Sequence, residues 1–271
     1  MILGGDLGGT KTLLALAEVI DGRIETIRQQ RYASRDYACF DDLLAEFLTG
    51  SDSIGAACFG VAGPTDGRNA KLTYLPWQLT ADTLEQNFAI GRVALINDFA
   101  AAAHGLPLVD DKDILTLHAG QPEPQAPRVI LGAGTGLGVA GLIWQNGHYQ
   151  VIPGEGGHFG FSPQTAEQGE LWQSLLTKSG RVTVEDIVSG PGLSRIFAHF
   201  SGRPWEPEEI GQAALAGTDP HARAALRLWL ECYGAFAGDL AMHWLARGGV
   251  YLAGGMAAKL LPHIDAAPFI D

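Results

Sequence analysis

The 271-residue sequence predicts an α/β protein of two similarly built domains, and three observations predict it. At a soft prior of about 150 residues per domain, the length suits one large domain or two modest ones. A composition of 46% hydrophobic and 18% charged residues supplies packed cores and excludes a disordered or fibrous chain. The third observation is an internal repeat. From Gly8-Gly9-Thr10 the chain runs through the apolar stretch 13–17 to the turn pair Asp21-Gly22 and a second β-like run at 23–27. From Gly134-Thr135 it runs through the apolar stretch 139–144 to Asn146-Gly147 and then Tyr149-Gln150-Val151-Ile152. Thr10 stands as far from Asp21 as Thr135 does from Asn146, and both turn pairs tolerate the two positive φ angles of a type I′ turn. Each half thus reads as a Gly-Thr loop leading into a β-hairpin.

The other elements follow in chain order. Asp6 closes a first strand just ahead of the first loop. A helix over 41–48 has apolar residues at 40, 43, 44, 47 and 48 and stops at Gly50. Residues 54–61 and 93–96 are short apolar runs bounded by Gly, Pro or Asn, as buried parallel strands are. A helix over 99–104 precedes a domain boundary near Pro107, giving a smaller first domain, 1–106, and a larger second one, 107–271. Residues 121–127, rich in proline, form a loop. Pro191, Pro207 and Pro220 each suit a first helical turn, where a missing N–H costs nothing. The last opens the longest periodic segment, 221–246, ended by Gly248-Gly249. A strand at 250–253, a tight turn at Gly254-Gly255 and a helix start at 256–261 complete the series.

Composition also bounds the partners. Eighteen basic against 30 acidic side chains leave a net charge of −12, with no basic patch to offset phosphates. Neither a nucleic acid nor an anionic membrane surface is an expected partner. Cys39, Cys58 and Cys232 are far apart with no C-x-x-C pair, so neither a disulfide framework nor a thiolate zinc site is expected. No signal-peptide pattern opens the chain and no apolar run reaches about 18 residues, so a cytoplasmic location is expected.

Glycine is the compositional outlier, with 36 residues, about twice the usual share. The 4–12 cluster is not a Walker A loop, because Thr10 separates Gly9 from Lys11 and a hairpin follows in place of a helix. The 132–138 cluster offers no register of G-x-G-x-x-G and also leads into a strand, which demotes dinucleotide binding. What both loops retain is a run of backbone N–H groups and a Thr hydroxyl that can meet phosphate oxygens. Asp6 stands where a carboxylate can hold Mg²⁺ beside those phosphates, although an Asp at a strand end is also a common turn cap.

Six segments occur in order: Asp6-Leu-Gly-Gly-Thr-Lys-Thr, Ile96-Asn97-Asp98-Phe99, Gly132-Ala-Gly-Thr-Gly-Leu-Gly-Val-Ala140, Gly154-Glu-Gly-Gly-His158, Glu185-Asp-Ile-Val-Ser-Gly-Pro-Gly192 and Leu252-Ala-Gly-Gly-Met256. Together they resemble the bacterial glucokinase family over nearly the whole chain. The resemblance implies the two-domain actin-like ATPase (ribonuclease H-like) fold, with a nucleotide and sugar cleft between the domains. It implies ATP and Mg²⁺ as cofactors, glucose as substrate and a homodimer. Carried over by position, Gly8, Gly9 and Thr10 are the first phosphate loop, Gly134, Thr135 and Gly136 the second, and Gly254 and Gly255 lie against the adenosine. Asn97, Asp98, Glu155, His158 and Glu185 match the glucose contacts, and Asp98 the catalytic base.

The chemistry of those residue types agrees. A sugar hydroxyl titrates far above neutrality, so a carboxylate that accepts its proton assists attack on a phosphate by roughly 10²–10⁴ in rate. Asp98 follows a strand at the edge where α/β sheets bind ligands, and its structural alternative is a helix N-cap. Carboxylates also accept from vicinal hydroxyls. Taken singly, His158 reads as a structural histidine and Glu185 as a first-turn acid near a helix cap at Thr183. The glycine-crowded loop around Glu155 and His158 is not expected to be helical. A zinc site at His158, found in related sugar kinases, lacks the cysteines to complete it.

Two departures from the family pattern stand out. Tyr74, in Thr73-Tyr74-Leu75-Pro76-Trp77, occupies a position where Asn is usual. The family's strand and C-terminal helix after Gly254-Gly255 are not found by residue 271, so closure onto the first domain is expected to be missing or made differently. A kinase for another hexose or an amino sugar, or a non-catalytic sugar-binding regulator on the same fold, remains open, though Met1 lies too close to Asp6 for a helix-turn-helix between them.

Overall fold

A computed structural model describes residues 1–263 and 266–270; Asp271, the last residue of the second predicted domain, lies outside them. The chain divides into two compact units, Met1–His104 and Gly105–Asp271.

The first unit opens with three strands, β1 (Ile2–Leu7), β2 (Lys11–Ile20) and β3 (Arg23–Ala33). Helix α1 (Phe40–Leu48) buries Phe40, Leu43, Leu44 and Phe47, the stripe that its period foretold. Strand β4 (Ala56–Val61) follows, then a small hairpin of β5 (Asn69–Lys71) and β6 (Gln78–Thr80). Helix α2 (Ala81–Phe88), strand β7 (Val93–Asn97) and helix α3 (Asp98–Gly105) complete it. The main sheet has the order β3-β2-β1-β4-β7. The first three strands are antiparallel neighbours, and β1, β4 and β7 run parallel.

The second unit repeats this plan. Its sheet has the order β10-β9-β8-β11, from β8 (Arg128–Ala133), β9 (Leu137–Gln145), β10 (His148–Gly154) and β11 (Val250–Ala253). Strands β8 to β10 form the antiparallel meander and β11 pairs parallel with β8, as β4 does with β1. Both hairpins turn as their dipeptides require: Asp21 and Asn146 have φ of 50° and 53°, each followed by a positive-φ glycine.

Beyond β10 the described residues form α4 (Ala166–Ser179), α5 (Gly190–Ser201), α6 (Pro207–Ala216), α7 (Pro220–Trp244) and, after β11, α8 (Gly255–Leu260). A last short turn, α9 (Ala267–Ile270), sets Phe269 against Tyr233 of α7, ring centroids 5.5 Å apart. Pro191, Pro207 and Pro220 all stand in first turns. Thr165, Ser189 and Asp219 cap α4, α5 and α7 through their side-chain oxygens. Thr183, expected to cap a helix, does not: 183–188 is a turn in which the Asp186 carboxylate accepts from the Thr183 N–H and hydroxyl. Helix α7 anchors the core with Trp229 and Tyr233, both wholly buried; their polar ends donate to the carbonyls of Ser189 and Leu131. Cys39, Cys58 and Cys232 are free thiols. No helix among the described residues is long and apolar enough to cross a membrane.

Candidate active site

In the first unit the register brings two predicted elements to one sheet edge. Leu7 pairs with Val61, and Val61 with Asn97. The loop Gly8-Gly9-Thr10 and Asp98 therefore emerge from the C-terminal ends of strands two places apart, about 10 Å by the usual strand spacing. Asn97 is the cap of α3: its Oδ1 accepts from the N–H groups of Phe99 and Ala100, at 2.9 and 3.2 Å. The capping role weighed for Asp98 thus falls to its neighbour. Asp98 stands in the first turn with its side chain exposed, and its Oδ1 accepts from the Phe99 N–H at 2.8 Å.

The first glycine loop is closed by the Gly8 N–H donating to the Lys11 carbonyl at 3.0 Å. Beneath it lies Ser34, whose hydroxyl donates to the Gly8 carbonyl at 2.8 Å and whose N–H donates to the Thr10 carbonyl at 3.0 Å. Thr10 itself is exposed. Tyr74 packs against Gly9, where a Cβ would lie 2.7 Å from the tyrosine Cβ. The departure from the family pattern therefore touches the glycine loop. Desolvation by the surrounding strands raises the Asp6 carboxyl above the usual carboxylate range. No group of three His, Cys, Asp or Glu that could hold a metal occurs among the described residues. Mg²⁺ does not need one, since it is commonly held by one or two carboxylates with water and substrate phosphates. A single carboxylate at the strand end beside the loop fits that donor set.

The second unit assembles three further predicted groups around the second loop. Gly134-Thr135-Gly136 joins β8 to β9, with Thr135 exposed at its crest. The Gly190 N–H donates to the Gly134 carbonyl at 2.8 Å, which ties the start of α5 to the loop. The far side is held by Glu185, whose Oε2 accepts from the Leu137 N–H at 2.8 Å. Glu185 is thus no helical first-turn acid but a half-buried carboxylate reaching the loop. Its own N–H donates to the Gly157 carbonyl at 2.9 Å, so it also fixes the segment that carries Glu155 and His158. That segment contains one 3₁₀ turn, Gly156–His158, where no helical turn was expected, closed by the His158 N–H on the Glu155 carbonyl. The His158 Nε2 stands 3.9 Å from Glu155 Oε2, and both side chains are largely exposed. Gly157 packs so closely on Leu137 that a Cβ would lie 2.2 Å from the Leu137 carbonyl oxygen. Only glycine allows the sugar-site candidates this near the second loop.

Gly254 follows β11 as the second loop follows β8, and Gly132 pairs with Ala253. At Gly254 φ is +88° and a Cβ would meet the Ala133 carbonyl oxygen at 2.7 Å. The segment Gly254-Gly255 is thereby held beside the second loop, with both residues exposed.

The structure thus gathers Asp6, Gly8, Gly9, Thr10, Asn97 and Asp98 at one edge of the first unit. It gathers Gly134, Thr135, Gly136, Glu155, His158, Glu185, Gly254 and Gly255 around one loop of the second. Ser34 lies in none of the six family segments, and its buried partner Thr12, though it ends the first of them, carries no expected role there.

The Glucokinase family profile matches residues 3–271. The chain belongs to the glucokinase family. A glucokinase of Nostoc sp. is 38% identical over 100% of this chain and 88% of its own length. Among solved structures, the glucokinase of an Antarctic psychrotroph superposes with a TM-score of 0.88 at 27% identity, covering 99% of this chain and 87% of that one. A ROK family glucokinase from Streptomyces griseus, in complex with glucose and AMPPNP, shares the fold with a TM-score of 0.62 at 21% identity, covering 99% of this chain and 86% of that one. The fold is the actin-like ATPase fold of these glucokinases.

Proposed function

We propose that this protein transfers the γ-phosphoryl group of ATP to the 6-hydroxyl of glucose. The observation that carries the reading is membership of the glucokinase family, with 38% identity to a curated glucokinase across the whole chain. The residues supply the parts that phosphoryl transfer needs. Asp98 accepts the proton of the 6-hydroxyl as that oxygen attacks, and its exposure at the end of β7 supports this role. Asn97 keeps its amide NH₂ as a donor for a sugar oxygen, because the cap of α3 uses only its Oδ1. Glu155, His158 and the remaining acceptor capacity of Glu185 bind the other hydroxyls.

The N–H groups and hydroxyls of the two glycine loops hold the phosphates, and Gly254-Gly255 lies along the adenosine. Asp6 would hold Mg²⁺, which when bound neutralises phosphate charge. The finer parts of the proposal rest on the family resemblance: a homodimer, a cytoplasmic location and a place at the head of glycolysis.

The test is ADP release by the purified chain with ATP and Mg²⁺, scanned over glucose, mannose, fructose, glucosamine and N-acetylglucosamine. Turnover is expected with glucose above the others. Greater kcat/KM for an amino sugar would move the substrate, and binding of glucose without turnover would make the chain a sensor.

A further inference from the structure

Ser34 and Thr12 are both 0% exposed, two hydroxyls in an apolar setting. Burying a hydroxyl is unfavourable unless it is hydrogen-bonded. The two oxygens lie 2.9 Å apart, and Ser34 has a single proton, committed to the Gly8 carbonyl at 2.8 Å. The Thr12 hydroxyl is therefore the donor to Ser34, and the relay runs from Thr12 through Ser34 to Gly8. The Ser34 N–H takes the Thr10 carbonyl as well. One wholly buried residue thus holds the carbonyls on both sides of the Gly-Gly-Thr loop.

This has a consequence for the loop's other face. In a planar trans peptide the C=O and the following N–H point in opposite directions. With the Gly8 carbonyl drawn down to Ser34, the Gly9 N–H is turned away from Ser34, onto the loop's opposite face. Without that hold the Gly8-Gly9 peptide can rotate, because glycine on both sides opposes rotation least.

We propose that Ser34 is the positioning residue of the first glycine loop, fixing the Gly8-Gly9 peptide so that the Gly9 N–H faces a nucleotide phosphate. The proposal rests on the reading of this loop as a phosphate loop. It predicts a nucleotide-specific defect from a residue that touches no ligand.

The test is steady-state kinetics with ATP and glucose varied separately, alongside thermal melts. Ser34→Ala is expected to raise KM for ATP about five- to tenfold, the worth of one neutral hydrogen bond, with KM for glucose within about twofold of the parent. Thr12→Val removes the buried partner but leaves the Ser34 to Gly8 bond. It is expected to lower Tm while KM for ATP stays within about twofold. Thr10→Ala, in the loop itself, is expected to raise KM for ATP.

If Thr10→Ala raises it and Ser34→Ala does not, the positioning role is wrong and the loop reading stands. If neither moves it, the loop reading fails and the proposal with it. Should Ser34→Ala not fold, Ser34→Cys fills the space with a weaker donor. An intermediate KM for ATP is then expected, and a parental value overturns the proposal.

Discussion

The two units share one plan, a three-stranded meander with a parallel strand beside its first member, and differ in what holds the loop between the first two strands. In the first unit the support is neutral and buried, the Thr12 to Ser34 relay. In the second it is a half-buried carboxylate, Glu185, which accepts from the Leu137 N–H while its own N–H holds the Gly157 carbonyl. The first loop is therefore fixed by groups that meet no ligand. The second is fixed by a group that the proposed function also assigns to the sugar. Similar folds need not be braced in the same way.

The largest effect is expected at Gly157, on the side braced by the carboxylate. A Cβ there would lie 2.2 Å from the Leu137 carbonyl oxygen, and backbone cannot give way as a flexible side chain does. Gly157→Ala is expected to lower kcat/KM for glucose at least about tenfold and to reduce Tm, since overpacking costs roughly 1–3 kcal/mol. Parental kinetics in the folded variant would mean that the Glu155 to His158 segment does not need its seat on the second loop.

A smaller and sharper effect is expected at Glu185. Glu185→Gln keeps an acceptor for the Leu137 N–H and removes the charge, so KM for glucose is expected to rise with KM for ATP little changed. Glu185→Ala leaves that N–H without its partner, a loss of about 1–3 kcal/mol if it stays buried. It is expected to raise KM for both substrates. Equal behaviour of the two variants toward ATP, measured by initial rates, would separate the carboxylate from the loop.

Much of this architecture was legible in the sequence, for reasons that can be named. Asp-Gly and Asn-Gly specify the two hairpins because few other pairs accept both positive φ angles. Pro191, Pro207 and Pro220 mark helix starts because a first turn has no use for their missing N–H. The short hairpin of β5 and β6 and the helices α2 and α4 were not read, because weak or brief apolar periodicity is easily outweighed by tertiary packing. Within the site, the motif residues could be found by their chemistry. Their supports could not: Ser34 reaches Gly8 across 26 positions and Glu185 reaches Leu137 across 48. Such pairings depend on how distant segments pack together, which no local pattern encodes. The capping role that is the structural alternative for Asp98 falls to Asn97 for a related reason, since both are good caps and only the backbone geometry chooses between them.

The first unit is proposed to supply the base through Asp98, and turnover and ligand binding by Asp98→Ala test that role without intermediaries. Calorimetry checks that ATP affinity is retained, and coupled ADP release then reports kcat. Asp98→Ala is expected to lower kcat by about 10²-fold or more with ATP affinity and Tm close to the parent. A folded variant that binds ATP and phosphorylates glucose at a rate near the parent's would contradict it.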